Sequence, residues 1–524
     1  MKKRLFALIT LLALVMSGCS AKDSKEKDGI AGLMPNKGNN YYAQDGVAGV
    51  PEGDYELEEI LPPSEPTDGN IVLDKVDVEL KENDFIKTAT TPVSTFSADV
   101  DTASYAYFRK LVNMGYTLES LKATAKTALR TEEFVNYFDY NYNDPADGEL
   151  FGITHTASVC PWNTNNVLLT VGLKADDAVQ NTKNNLVFLI DVSGSMQSED
   201  KLQLLKKSFT YLTEKLTEDD TVSIVTYSGA ERIVLDGAKG NEHDKILNAV
   251  NNLEAGGSTN GESGLRTAYS LAEKYMKADA NNRIIMASDG DLNVGISSAE
   301  ELKSFIEEKR NLGIYISVLG FGTGNYKDSS MEAIADNGNG VYYYIDGESE
   351  AQKVFGEKLF STLYAVAKDV KLQLTFNADN ISEYRLVGYE NRLLNEEDFD
   401  DDTKDAGELG AGHTLTVCYE LVLTDSAKTS DAEWMTLAIR HKKPTEEVSN
   451  LNEYKIDKSV YTDTPDEDFK FICAVAETSM ILRDSKYIGN ITLQDVQSSL
   501  GGMNLDGKRD RYEFRELINK LTDK

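Results

Sequence analysis

The sequence predicts an α/β protein: a doubly wound, mostly parallel sheet, joined to a β-sandwich-like domain built from flanking segments and ending in helices. Three observations predict this. From Asn184 to about residue 366, short continuous apolar strands alternate with amphipathic helices, the pattern of a parallel sheet covered on both faces. After about residue 368 the runs VKLQLTF, SEYRLVGYE, HTLTVCYELVL and EWMTLAIRHK follow with period two and no helix between them, a sandwich pattern. The segment FGITHTASVCPWNTNNVLLTVGLKA, ahead of the alternating region, has strand alternation too, so the sandwich base draws on both sides of it.

The chain has 524 residues, 41% hydrophobic and 27% charged, enough for two or three domains with real cores. Its net charge of -33 argues against nucleic acid as a partner, because a phosphate backbone is not steered to such a surface.

Residues 1–18 read as a signal peptide. Lys2, Lys3 and Arg4 form a basic region, and Leu5 to Met16 an apolar stretch too short to span a bilayer. Ser17 and Gly18 then precede Cys19, and this resembles the lipobox of bacterial lipoproteins, with Met16 where Leu is usual. The resemblance implies cleavage before Cys19, its acylation, and a chain anchored by lipid to a membrane, facing outside the cytoplasm. Residues 19–80 are rich in Lys, Asp, Glu, Gly, Asn and Pro. They cannot bury enough apolar surface to order themselves, and read as a tether.

Residues 81–182 form an amino-terminal segment that contributes helices and strands to the base. STFSADVDTASYAYFRKLVNMGY reads as a strand, then a helix capped by Asp101 or Thr102. The DVDT run invites comparison with the haloacid-dehalogenase phosphotransferase motif, but Ala103 stands where that motif needs Thr or Val. RTEEFVNYFDYNYNDP is a second helix closed by a loop.

Residues 183–366 hold the alternating series. NLVFLID, TVSIVTYS, NRIIMASDGD, IYISVLGFG and VYYYID are strands. In KLQLLKKSFTYLTEKL, Leu202, Leu205, Phe209, Leu212 and Leu216 recur at helical spacing. Residues 367–524 carry the remaining strands, then helices over DEDFKFICAVAETSMILRD, ITLQDVQSSLG and RDRYEFRELINKLTDK.

In a doubly wound sheet, loops at the carboxyl ends of the strands form the ligand crevice. Three such loops carry oxygen donors suited to a metal: Asp191, Ser193 and Ser195 in FLIDVSGSMQS, Thr259 in AGGSTNGESGL, and Asp289 in MASDGDLNVG. Two carboxylates and three hydroxyls are hard donors that suit Mg²⁺ first, Mn²⁺ equally in kind, and do not bar Ca²⁺. Hydroxyl ligands leave the ion's charge under-neutralised, so it still calls for an anion from outside. Taken alone, the Asp-x-Ser-x-Ser run could equally cap the helix that follows.

DVSGSM, GGSTN and SDGDLNVG, in that order and on those elements, resemble the metal-ion-dependent adhesion site of von Willebrand factor type A domains. The resemblance implies that Ser193, Ser195 and Thr259 coordinate through hydroxyls, and that Asp191 and Asp289 bind directly or through water. It also implies a protein partner whose Asp or Glu completes the shell. FSADVDTASYAYFRK, TEEFVNYFDY, GFGTGNYKDSSMEAIADNGNGVYYYID and RLVGYENRLLNEEDFDDDTKDAGELGAGHT are similar to a class of bacterial von Willebrand factor A lipoproteins. That class carries an extra amino-terminal segment and a carboxy-terminal domain of unassigned function.

The expectation is therefore a non-enzymatic, membrane-anchored envelope protein for adhesion or assembly. Metal-assisted hydrolysis at the same loops and a purely structural role for the metal are the alternatives. None of His155, His243, His413 and His441 lies in the three loops, so a histidine base is missing and hydrolysis would need Asp289 or Asp291 in that role. Asp291 and Asn293 read as turn residues, and NEEDFDDDTKDAGE as a solvated acidic loop. In GMNLDGKRDRYEF, Asn504, Asp506, Gly507 and Glu513 fall at EF-hand positions, but Gly502 takes the first, where Asp is needed. Cys160, Cys418 and Cys473 lack zinc-site spacing and read as three buried free thiols.

Overall fold

The computed structural model describes residues 81–177, 183–258, 261–278, 280–290, 299–322, 328–358, 361, 365–428, 433–444 and 446–523. The amino-terminal segment lays down strands β1 (Ile86–Lys87) and β2 (Val93–Ser97), then helices α1 (Ala103–Asn113), α2 (Leu118–Ala128) and α3 (Thr131–Asn136), then β3 (Phe151–Val159) and β4 (Val167–Ala175). A central domain follows: β5 (Lys183–Asp191), α4 (Leu204–Thr213), β6 (Thr221–Tyr227), β7 (Glu231–Lys239), α5 (His243–Asn251), α6 (Gly261–Lys274), β8 (Ala280–Ser288), α7 (Ala299–Asn311), β9 (Ile314–Phe321), α8 (Asp328–Asn337), β10 (Tyr342–Ile345) and α9 (Glu348–Lys353). The chain then returns to the base with β11 (Ala365–Phe376), β12 (Ile381–Val387), β13 (Leu393–Leu394), β14 (Gly407–Gly410), β15 (Thr414–Leu423), β16 (Glu433–Lys442) and β17 (Asn450–Asp457). Helices α10 (Glu467–Leu482), α11 (Leu493–Gly501) and α12 (Arg509–Thr522) end it.

The central sheet has the order β10-β9-β8-β5-β6-β7. All its pairs are parallel except β6 with the edge strand β7. Because β5 is covered on both faces it is apolar without alternation: Leu186, Phe188 and Ile190 pack towards Leu205, Phe209 and Phe355, while Val187 and Leu189 face α6 and α8 through Leu265, Ala268 and Met331. This places β5 at the middle of the sheet, with its carboxyl end beside those of β6 and β8.

The base is a two-sheet sandwich. One sheet runs β1-β12-β15-β4-β3 and the other β13-β2-β11-β16-β17, with β14 on β11. Both interleave strands from before and after the central domain, which is thus an insertion between the halves of the base. Alternation puts Leu372, Leu374, Leu437 and Ile439 of one sheet against Val171, Leu173, Val417 and Tyr419 of the other. Helices α1, α3, α10 and α12 share one apolar cluster with the α6–α8 face of the central sheet, so the base and the central domain have a common core. Arg109 of α1 reinforces the joint, binding Asp346 at 2.6 Å, Glu350 at 2.7 Å and Glu513 of α12 at 3.2 Å.

Cys160, Cys418 and Cys473 are buried free thiols. Among the described residues, no helix is long and apolar enough to cross a membrane. Cys19 and the tether lie outside the described residues.

Candidate metal centre

The first loop is built by β5 running out of apolar sequence. Asp191 ends the strand fully buried, and its Oδ1 accepts the Ser193 N–H at 2.8 Å, which turns the chain sharply at the sheet edge. The Val192 N–H donates to the Tyr227 carbonyl at 3.0 Å, carrying the β5–β6 pairing one residue further. Ser193 then precedes a short 3₁₀ turn, Gly194–Gln197, and a π-helical turn, Glu199–Gln203, that leads into α4. Neither turn has a side-chain cap hydrogen bond. The helix-cap alternative therefore fails: Ser193 Oγ lies instead 2.9 Å from Ser195 Oγ, and the two hydroxyls face the same space.

The second loop is fastened onto the first. The Gly194 N–H donates to the Gly257 carbonyl at 3.1 Å, and the Gly256 N–H to the Val192 carbonyl at 2.8 Å. Helix α6 starts at Gly261 and packs close to β6, since a Cβ on Gly264 would lie 2.7 Å from that of Tyr227. Thr259 lies between these fixed points, outside the described residues, as do Asp291 and Asn293.

The third loop follows β8. The β5–β8 register sets Ile190 beside Ala287, so the residues just beyond them meet. Ser288 Oγ approaches Asp191 Oδ2 at 3.4 Å and accepts the Gly290 N–H at 3.1 Å. Asp289 is buried, and its Oδ2 accepts a hydrogen bond from Lys201 Nζ at 2.7 Å. The same ammonium donates to the Ser195 carbonyl at 3.0 Å, joining the third loop to the first. Burial, then the Asp191 charge, push the nearby Tyr227 hydroxyl well above its usual pKa.

Sequence reasoning passed over Lys201. The signal was available: Lys201, Leu205, Phe209 and Leu212 share one helical face, so a lysine stands at the head of an apolar stripe. The four histidines lie elsewhere. His155 and His441 are on strands of the base, His413 bonds Ser361 at 3.0 Å, and His243 starts α5. The donor set that does converge, two buried carboxylates and two hydroxyls on adjacent strand ends, has the hard-oxygen chemistry of a Mg²⁺, Mn²⁺ or Ca²⁺ site, and the residues fit such an ion.

Asp101 and Thr102, which the sequence predicts as alternative caps of α1, do not cap it, and Asp101 belongs to a second charged cluster. Thr102 precedes α1 but makes no cap hydrogen bond. Asp101 Oδ1 instead accepts the Tyr342 N–H at 2.8 Å, and Arg392 gathers Asp99 at 2.9 Å, Asp101 at 3.1 Å, Asp336 at 2.7 Å and Glu332 at 3.8 Å. Arg130 pairs with Glu332 and, at 3.1 Å, with Glu133. Oxygens of Asp101, Glu332 and Asp336 lie within 4.8 Å of one another, but the two guanidinium groups already bridge them. This is an ion-pair clamp between the amino-terminal segment, α8 and the segment after β12. It borders a cavity of about 220 Å³ whose far wall includes Asp405 and Glu408.

Two other sequence motifs resolve similarly. The acidic loop 395–408 is solvated at Glu396, Glu397, Asp400 and Asp401 yet also docked: Arg440 pairs with Asp400, Arg310 with Asp405 at 2.7 Å, and Lys371 with the carbonyls of Asp398 and Asp401. Gly502 to Lys508 does link two helices, but Glu513, at the last EF-hand position, is taken by Arg109.

Three family models match the chain: "von Willebrand factor" over residues 77–170, "von Willebrand factor type A domain" over 185–357, and "Uncharacterized protein YfbK, C-terminal" over 361–523. The protein YfbK of Escherichia coli (strain K12) is 38% identical over 473 residues, which are 85% of this chain and 80% of that one. Protein sll0103 of Synechocystis sp. (strain ATCC 27184 / PCC 6803 / Kazusa) is 28% identical over 37% of this chain and 45% of its own. Inter-alpha-trypsin inhibitor heavy chain H3 of Homo sapiens is 27% identical over 32% of this chain and 20% of its own. Among solved structures, a von Willebrand factor type A protein from Catenulispora acidiphila aligns at a TM-score of 0.42 and 18% identity, over 74% of this chain and 89% of that one.

Proposed function

The chain belongs to the YfbK family of von Willebrand factor type A proteins, and from that premise we propose that it is a membrane-anchored binding protein of the cell envelope that recognises a protein partner through a divalent metal. Von Willebrand factor type A domains mediate protein–protein interactions. The observation that carries the finer reading is the meeting of Asp191, Ser193, Ser195 and Asp289 at the carboxyl ends of neighbouring strands. These residues, with Thr259, would hold the ion, Mg²⁺ by preference. Once bound, the ion supplies a Lewis-acid centre for an anionic oxygen, here an Asp or Glu carboxylate of the partner.

The chain's own groups do the positioning. The hydrogen bond from the Ser193 N–H orients the Asp191 carboxylate, the backbone bonds from Gly194 to Gly257 and from Gly256 to Val192 hold two loops at a fixed distance, and Lys201 orients Asp289. Binding is favoured over hydrolysis because Ser193 and Ser195 bond each other, Asp289 engages an ammonium, and no histidine stands in the described loops. The lipid anchor at Cys19 belongs to the same reading and rests on the sequence motif.

The test is affinity capture of partners from membranes in Mg²⁺, eluted with EDTA, repeated with Asp191→Ala. Metal-bridged recognition requires the captured partner to appear in the EDTA eluate and to be lost with the variant. Capture unchanged under both treatments sinks the mechanism. If the metal-free protein captures normally but melts early, the metal is a structural brace.

A further inference from the structure

Lys201 is installed, not merely nearby. Its side chain is only 10% exposed, and its ammonium reaches Asp289 Oδ2 at 2.7 Å and the Ser195 carbonyl at 3.0 Å. The aliphatic stem passes Gly322, just after β9, where φ is +72° and a Cβ would lie 2.1 Å from Lys201 Cε. Glycine at that position leaves the slot that the stem fills. The Tyr344 hydroxyl donates to the Gly322 carbonyl at 2.6 Å and fixes that wall. On the other side Asp200 is pinned by Lys110 of α1 at 2.9 Å and Ser198 at 2.6 Å, which holds the π-helical turn in place. Single-turn π segments of this sort recur at functional sites.

Resting on the reading of these loops as a metal centre, we propose that Lys201 is the built-in counter-cation of the site and makes it selective for an anionic partner group. Among the described residues, the Lys201 ammonium engages one buried carboxylate, Asp289, and a second, Asp191, ends the neighbouring strand, so these three groups form the charged cluster. With a divalent ion bound, the cluster holds one excess positive charge in a place where water screens poorly. A single carboxylate from an acidic partner brings it to neutrality. Without Lys201 the loaded cluster is already neutral, so it retains the ion more tightly and gains less from an anion. Lys201 thus trades metal affinity for partner selectivity, and acts through Asp289 as a positioning and specificity-determining residue.

The experiment is a Mn²⁺ titration of the full chain, followed by the EPR signal of the free ion. It compares wild type, Lys201→Met and Lys201→Gln, each with and without acetate as the anionic probe. Both variants are expected to bind Mn²⁺ roughly tenfold or more tightly than wild type. Acetate should strengthen Mn²⁺ binding by wild type and do so less for the variants. Gln can still donate a hydrogen bond to Asp289. If Lys201 served only as a hydrogen-bonding strut, K201Q would match wild type and K201M would bind more weakly; that pattern overturns the proposal, as does unchanged affinity in both. A wild type that takes up no Mn²⁺ overturns the metal centre itself, a result distinct from normal uptake with unaltered variants. Melting curves with and without Mn²⁺ identify any variant that has not folded, and the other then decides.

Discussion

Replacing Arg392 by Gln removes the guanidinium on which the joint between the base and the central domain closes. Arg392 touches four carboxylates, on Asp99, Asp101, Glu332 and Asp336, and of these Asp99, Asp101 and Glu332 are buried. Without it, Arg130 still serves Glu332, but Asp99, Asp101 and Asp336 lose their bridging cation. Breaking a buried ion pair from one side costs about 3–5 kcal/mol, because a charge stays behind in a poorly solvated place. With a urea m-value of about 3 kcal/mol/M, the midpoint falls by about 1–2 M. The effect should depend on pH. Burial already raises the Asp101 and Asp336 carboxyls above their ordinary pKa, and losing Arg392 raises them further. An acid with a raised folded pKa contributes its stability in full below the unfolded value, and loses it as pH rises through the folded one. The deficit of R392Q is therefore larger at about pH 8 than at about pH 5, since the raised Asp101 and Asp336 carboxyls take up protons on acidification. Urea titrations at the two ends of that range, followed by fluorescence of the buried Trp162 and Trp434, measure it. A midpoint within about 0.3 M of wild type at the alkaline end, or a deficit that grows on acidification, would refute the clamp.

Two further outcomes follow from the same borders. Burial raises the Glu408 carboxyl to about 7 against the opposing pull of Arg283, 3.5 Å away; wild type should therefore lose stability relative to Glu408→Gln as pH rises through about 7, read by paired melts at acid and alkaline pH, and equal pH profiles would contradict it. Gly407 lets β14 pass close to the end of β2, where a Cβ would lie 2.1 Å from the Ala98 carbonyl oxygen; Gly407→Ala should lower the melting temperature strongly, by the several-kcal/mol scale of severe overpacking, and a melt within about 2 °C of wild type would contradict that approach.

The site was legible in part because it is coded by adjacency. Asp191, Ser193 and Ser195 sit within five positions after a run that can only be a buried strand, and Asp289 follows another. Strand periodicity alone puts both at the same sheet edge. Lys201 was legible only as a lysine heading an apolar helical stripe, and its pairing with Asp289 was not, because that role depends on a slot beside Gly322, more than a hundred positions away in the chain. The same holds for Asp101. Its neighbours in sequence suggest a helix cap, while its partners are Tyr342 and Arg392, and no local pattern records a contact at that separation.

By itself, then, the order of apolar and polar residues determined the parallel central sheet, the sandwich strands and the carboxylate-bearing loops, since these follow from local periodicity and the need to bury apolar faces. The tertiary structure decided how the charges are shared out. It interleaved strands from both ends of the chain around one core and assigned the acidic loop 395–408 to Arg310, Lys371 and Arg440. It also brought Lys201 to Asp289 and Arg392 to two separate segments, the one ahead of α1 and α8. The physical reason is that burial is a property a residue carries in its own side chain, whereas a buried charge is settled only by which opposite charge the fold sets beside it.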